Sequence, residues 1–377
     1  MRNPKQIIYN INYLKIIKDA ITNNDKNFFI ENFKKLINTS SEKKFLVLGR
    51  ARAGIYIAVK QSIKLKKNNL ILLSPYTIPE VVDLVINAGG RPHFIDFKKE
   101  STFFDLNLLS EKMKLKPAAV IITHYSLNQQ NYKNISEIIK ENNSILIEDS
   151  ALAISGKSEN NDINTLSDFS VYSFSSFKLL NCLYGGGIML NNNYDDELIR
   201  EINSWPKLTI KDYLPQLFRT IFFDISMSKQ IYSRFTIKYI KKTITKNYQN
   251  NFVENKLKFE KAIINSNYFT KPLNFVPREL DRKIDSYKSQ RLHRIKIASI
   301  YCQNLNSISI VKNNLLPDMI KKSDNFTYLI SCKDKNHKQQ LRNKLIQNNF
   351  HVGDIFYNNC HQIKRFQSIE GESKNVD

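Results

Sequence analysis

The chain has 377 residues, 42% of them hydrophobic, and a formal net charge of +22. The length is comfortable for two domains, and the apolar content excludes wholesale disorder. Such a charge suggests nucleic acid, but the lysines are scattered among asparagine and isoleucine, as in "IKLKKNNLILL". They read as a composition bias rather than a binding stripe, and we expect no nucleic-acid partner.

The start, "MRNPKQIIYNINYLKIIKDAI", has no continuous apolar core and no small-residue cleavage site, so it is not a secretory signal. Residues 1–40 are expected to form an N-terminal helical segment. From 41 to 204 short apolar runs alternate with amphipathic stretches. The runs are "KFLVLG", "LILLSPY", "PHFIDF", "AAVIITHY", "SILIEDS", "FSVYSF" and "GGIML"; "AGIYIAVKQSIKL" and "PEVVDLVINAGG" are typical of the stretches between them. Strand and helix alternating in this way predict an α/β fold, a mostly parallel sheet with helices on both faces. Active residues of such sheets collect at the carboxyl ends of strands. Tyr76, His124 and Asp149 stand at such ends, and any one of them alone is more often a polar strand terminus.

Residues 205–260 change character. "YLPQLFRTIFFDISMSKQIYSRFTIKYIKK" mixes large apolar and basic residues at helical spacing, with one dense basic run, "IKYIKKTITK". A basic amphipathic helix over 214–242 could lie on anionic lipid. Packing at a subunit interface or under the C-terminal unit is the favoured expectation. Residues 261–377 predict a small α+β domain: helix "YKSQRLHRIKIASIYCQNL", strand "FTYLISC", helix "NHKQQLRNKLIQNNF", strand "VGDIFY". No apolar run reaches the roughly 18 residues of a membrane span. Cys182, Cys302, Cys332 and Cys360 form no CxxC pair, and the six histidines show no HxxxH spacing. The expectation is free thiols in a reducing cytoplasm and no metal site.

The stretch that carries chemistry is "DFSVYSFSSFKLLNCLYGGGIML", residues 168–190, where one lysine lies between two strands just before three glycines. Upstream, Gly49-Arg50-Ala51-Arg52-Ala53-Gly54 opens a helix. A small-residue turn there aims free N–H groups and the helix dipole at an anion, and Arg50 or Arg52 could add charge. Asp149 can bond a protonated ring nitrogen, and Lys178 can form a Schiff base. Together these are the parts of a pyridoxal 5'-phosphate (PLP) site. Each part alone reads more plainly, as a helix start, a strand terminus or a surface lysine.

Three ordered segments resemble the DegT/DnrJ/StrS sugar aminotransferases, PLP enzymes of fold type I. They are "SPYTIPEVVDLVINAGGRPHFIDF", "THYSLNQQNYKNISEIIKENNSILIEDSALAISG" and "YSFSSFK". The resemblance covers about 45–190 and resumes more weakly over about 285–365. It implies an aspartate aminotransferase-like large domain and a small C-terminal domain. It further implies that Lys178 is the catalytic lysine that holds PLP and Asp149 the acid on the pyridine nitrogen. Ser173 would bond the phosphate, Arg52 and Ala53 would lie in the phosphate turn, and Tyr76, in preference to Ile78, would cover the ring. A homodimer, glutamate as amino donor and a nucleotide-linked keto sugar as acceptor, in glycan precursor synthesis, follow in the same way.

The departures are specific. Leu152 replaces the family's glutamine, Leu183-Tyr184-Gly185-Gly186 replaces "GEGG", and His124-Tyr125-Ser126-Leu127 lacks the glycine of "H-x-x-G". No "N-x-R-M" segment follows residue 190, and His361 loosely resembles a substrate-facing histidine. The family's last strand and helix are not reached, which suggests a short small domain or, as we favour, a truncated chain. Two alternatives stay open: an aminotransferase of a non-sugar ketone, or a binding protein that has lost the chemistry. Retention of Lys178 argues against the sugar dehydratase branch, which carries histidine at that position.

Overall fold

The computed structural model describes residues 28–39, 42–99, 101, 103–125, 132–154, 166–176, 178–191, 196–226, 228–239, 242, 266–305, 311–313, 317–328, 330–348 and 358–373. All seven predicted strands of the large domain form: β1 (Lys44–Leu48), β2 (Leu70–Leu73), β4 (Arg91–Phe94), β5 (Ala119–Thr123), β6 (Ile145–Asp149), β7 (Phe169–Ser173) and β8 (Gly186–Leu190). They make one sheet in the order β1-β8-β7-β6-β5-β2-β4. Its pairs are parallel from β7 to β4, while β8 runs antiparallel to both β7 and β1. β8 reverses because the Lys178 loop closes on itself, Phe174 N donating to Gly185 O, and so returns the chain beside β7.

The central strands are apolar on both faces because helices cover both. Ile71, Leu73, Ile121, Ile147, Phe169 and Val171 face one core, with α2 (Ala51–Lys66), α3 (Pro79–Asn87) and α6 (Asp196–Ser204) packed on it. Leu70, Leu72, Val120 and Leu146 face the other core, under α4 (Leu106–Met113) and α5 (Tyr132–Glu141). Proline at the first turn starts α3, and the Asp105 side chain caps α4 by accepting from Asn107 N and Leu108 N at 2.9 and 3.2 Å. Next to the second core, Phe45, Tyr172 and Met189 pack with α1 (Phe29–Leu36), α7 (Ile210–Ser226) and α8 (Phe275–Leu305).

α8 begins twelve residues before the predicted helix, because Pro277 falls within its first turn, where a missing N–H costs nothing. Beyond it lie an antiparallel pair, β9 (Val311–Asn313) with β10 (Ile330–Cys332), and the helices α9 (Pro317–Lys322) and α10 (Lys335–Gln347). The predicted strand "FTYLISC" is thus confined to Ile330–Cys332 among the described residues, and "VGDIFY" lies outside them. The tail then returns to the large domain. β11 (Asn358–Asn359) pairs with β3 (Tyr76–Thr77), and Phe94 N donates to Glu370 O at 2.8 Å. Gly371 takes φ +125° against Phe94, where a Cβ would meet Phe94 O at 2.1 Å, so only glycine fits.

Candidate active site

Strand alternation decides which side chains can meet. In register, Asp149 pairs with Val171 and with Thr123, and Ser173 lies two residues beyond Val171. Asp149, Val171 and Ser173 therefore share the face covered by α2, and Gly54 of α2 touches the Val171 side chain there. The N-terminus of α2 arrives beside Ser173 through Gly186. This glycine pairs with both Ser173 and Leu48, and a Cβ on it would come within 2.3 Å of Ala51 N. The cap residue Arg50 is extended and gives no side-chain cap, so α2 presents its first amides at this spot. Gly186→Ala is expected to displace that helix start, costing about 1–3 kcal/mol in chemical denaturation.

The loop from β7 to β8 holds Lys178. Phe174 N donates to Gly185 O at 3.0 Å and Cys182 N to Phe174 O at 2.7 Å, closing the loop at its base. Asn181 Nδ2 donates to Lys178 O at 3.0 Å, while Lys283 Nζ donates to Asn181 O and Oδ1 at 2.9 and 3.0 Å. Gln216 Nε2 of α7 donates to Ser176 Oγ at 3.1 Å, and Thr220 Oγ1 lies 3.1 Å from the same hydroxyl. A loop tied from both sides holds its lysine in one place.

Lys178, Asp149 and Arg52 share one electrostatic neighbourhood. Burial pulls the Lys178 amine down to about 8; the Asp149 carboxylate opposes this and Arg52 adds to it. Burial pushes the Asp149 carboxyl up from its ordinary value, against the Ala151 amide, which donates to Oδ1 at 3.1 Å, and against Lys178 and His124. Lys178 and Asp149 each feel the other's charge. The Arg52 guanidinium is held by Glu80 at 3.1 Å, while Ala53 is fully buried in the first turn of α2. Arg50 lies over the Tyr184 ring, 3.2 Å from its centroid.

Tyr76 is half-buried in β3, just beyond the carboxyl end of β2. Its ring is 5.3 Å from Tyr125 and 6.4 Å from Phe97, and its carbonyl accepts from the Tyr125 hydroxyl. The positions that depart from the family pattern have structural uses: Leu152 is buried, Leu183 is in the core, and Tyr184 is the platform for Arg50. Ser126 and Leu127 lie outside the described residues. His361 Nδ1 is 3.2 Å from Ser373 Oγ, in the returning tail.

His124 is on the opposite face from Asp149, in a buried polar group that the sequence reading missed. His124 Nε2 is 3.2 Å from Glu148 Oε1, the Tyr132 hydroxyl donates to the same oxygen, and Ser170 Oγ donates to Oε2 at 2.7 Å. Lys43 Nζ donates to Ser167 O at 2.8 Å close by, and burial lowers its amine to about 8. Burial opposes ionisation of Glu148, but the hydrogen bond and charge of His124, with the Tyr132 and Ser170 hydroxyls, hold its carboxyl at about 2. The available signal was the pair of acids ending "ILIED", one for each face of a buried strand. Glu148→Gln is expected to cost about 3–5 kcal/mol in urea unfolding at neutral pH. Because the folded value is below the ordinary 4.5, this stabilisation is complete above about 4.5 and lost as the pH falls towards 2. Wild type and variant should therefore converge in acid.

The comparisons with known proteins agree with this geometry. Residues 21–213, just over half of the chain, match the DegT/DnrJ/EryC1/StrS aminotransferase family. The chain belongs to this family. Among curated DegT/DnrJ/EryC1/StrS relatives, UDP-4-amino-4,6-dideoxy-N-acetyl-beta-L-altrosamine transaminase of Campylobacter jejuni is 25% identical over 191 residues, 50% of this chain and 49% of that protein. An uncharacterized protein of Methanocaldococcus jannaschii, MJ1066, is 22% identical over 169 residues, covering 45% and 44%. The chain thus spans about half the length of the curated relatives it matches. Solved structures extend the likeness of fold. Helicobacter pylori PseC, an aminotransferase of pseudoaminic acid biosynthesis, superposes with TM-score 0.66 at 14% identity, over 94% of this chain and 84% of that one. Escherichia coli GDP-4-keto-6-deoxy-D-mannose-3-dehydratase with bound hydrated PLP gives 0.65 at 12%, over 96% and 86%. The family fold is therefore the PLP-dependent aminotransferase fold, an α/β architecture built on a mostly parallel sheet.

Proposed function

We propose that this DegT/DnrJ/EryC1/StrS protein is a PLP-dependent aminotransferase that moves an amino group, from glutamate, to a nucleotide-linked keto sugar in glycan precursor synthesis. The observation that carries the reading is one buried neighbourhood shared on the family fold by Lys178, Asp149 and Arg52, with Asp149 and Ser173 on one sheet face. The surroundings suit the cofactor. A buried acid suits a protonated ring nitrogen, the amides of α2 with the Ser173 hydroxyl suit a phosphate, and the aromatic Tyr76 suits an apolar ring. PLP, when bound, supplies the electron sink for breaking a bond at the amine-bearing carbon.

The chain's own residues do the rest. Asp149 would hold the cofactor's ring nitrogen, where a carboxylate favours the protonated ring. Lys178 would hold the cofactor through its amine, and as a neutral amine it would serve as the base that moves a proton at the substrate carbon. An amine already lowered to about 8 gives up its proton at modest cost, which suits a general base. The first α2 amides and Ser173 anchor the anionic end. The names of the relatives point to nucleotide-linked amino sugars as the substrate class: a UDP-linked altrosamine transaminase and a dTDP-3-amino-3,4,6-trideoxy-alpha-D-glucose transaminase. We further propose that the protein works in the cytoplasm as a homodimer.

Purified protein should be yellow. Borohydride reduction in the presence of PLP should place the cofactor's mass on the peptide containing Lys178. The yield should rise as the pH passes about 8, because only the unprotonated amine attacks an aldehyde. Labelling spread over surface lysines, with a pH profile centred near 10.5, would remove the proposal.

A further inference from the structure

α7 is apolar on two faces, and among the described residues only one is covered. Tyr213 and Leu217 turn into the core with Phe275 and Leu280. Leu214, Phe218, Phe222 and Ile225, spaced by four, four and three, share the other face. Their exposures are 39%, 64%, 72% and 52%. Phe235 and Tyr239, 68% and 71% exposed, extend the apolar set in the helical segment that follows, residues 229–239. Isolated exposed apolar residues need no explanation, but a run of large ones in a single segment does.

The flanking charges narrow the choice of partner. Residues 207–242 contain eight lysines and arginines and two aspartates. Lys211, Arg219, Arg234 and Lys238 are exposed beside the apolar residues. Neither aspartate offsets them freely: Asp212 accepts from Thr209 N and Oγ1 at 2.6 and 2.7 Å, and Asp224 also has a partner. A second copy placed on this face would set arginine and lysine against their own kind. An anionic phospholipid surface instead takes the apolar side chains below its headgroups and pairs its phosphates with the cations.

We propose that α7, with the helical segment 229–239 after it, docks the protein on an anionic phospholipid bilayer. The helix lies along the surface, since no described helix is long and apolar enough to cross a membrane. Its inner face holds Ser176, two residues before Lys178, through Gln216 and Thr220, so the docked helix also backs the lysine loop.

Flotation of the purified full chain with vesicles tests this. Vesicles with about one-third phosphatidylglycerol should carry the protein upward at low salt, pure phosphatidylcholine should not, and about 0.5 M salt should release most of it. Phe218→Ser with Phe222→Ser should lower partitioning by at least about tenfold. Arg219→Gln with Lys238→Gln should lower it by roughly thirtyfold, about fivefold per charge. Circular dichroism checks each variant's fold, and the charge pair leaves the apolar packing untouched if the phenylalanine pair misfolds. Equal binding to both vesicle types overturns the proposal, as does no binding to either. So does a wild type that fails to float but forms a dimer that the phenylalanine pair dissociates, which would make this face an interface between copies.

Discussion

Lys178→Ala is expected to lower amino transfer by about 10^4-fold or more, because one substitution removes both the covalent anchor and the general base. Stability should respond differently. Burying an amine that remains charged below about 8 is unfavourable, so the wild-type lysine weakens folding at neutral pH and less so as the pH rises towards 10.5. The alanine variant should therefore melt no lower than the wild type in the absence of cofactor. The contrast is decisive: near-complete loss of glutamate-dependent transfer, assayed with a keto-sugar nucleotide, alongside an unchanged or raised melting temperature. If the variant kept more than about a hundredth of wild-type turnover, Lys178 would not be the reactive amine.

Asp149→Asn is expected to cost about 10^2 to 10^3-fold in turnover while the protein still binds PLP. An amide of the same shape keeps the packing but cannot hold a proton on a ring nitrogen by charge. The bound cofactor's absorbance should change its pH response as well as its intensity. Removing the carboxylate also takes away the group that holds the Lys178 amine up. The lysine should therefore titrate lower than about 8 in the variant, visible as aldehyde capture at a more acidic pH. A variant with normal turnover and an unmoved profile would separate Asp149 from the site.

Much of this architecture was legible in the sequence because its physics is local. Seven apolar runs bounded by turn residues became seven strands, and alternation of strands with amphipathic helices specified a mostly parallel sheet. The resemblance placed Lys178 and Asp149, and the register of β6 and β7 brings Asp149 and Ser173 to one face. What was hidden depends on the other face and on distant partners. Glu148 reads as one more polar residue until His124, Tyr132 and Ser170 are seen around it. Arg50 and Arg52 were equivalent as sequence, yet one stacks on Tyr184 and the other pairs with Glu80. The antiparallel course of β8 follows from a loop whose closure on itself appears only in the fold. Within the 205–260 insert, residues 214–242 read as packing or docking, and α7 presents a buried face and an exposed one.

The pairing of β11 with β3 has a consequence for biosynthesis. Tyr76 belongs to a two-residue strand whose sheet partner is translated about 280 residues later. A nascent chain can assemble the central sheet while still tethered, but this edge must wait until Asn358 and Asn359 emerge from the ribosome. Cofactor capture should therefore lag behind completion of translation, and ribosome-stalled chains ending before residue 358 should take up PLP poorly even with Lys178 and Asp149 already folded.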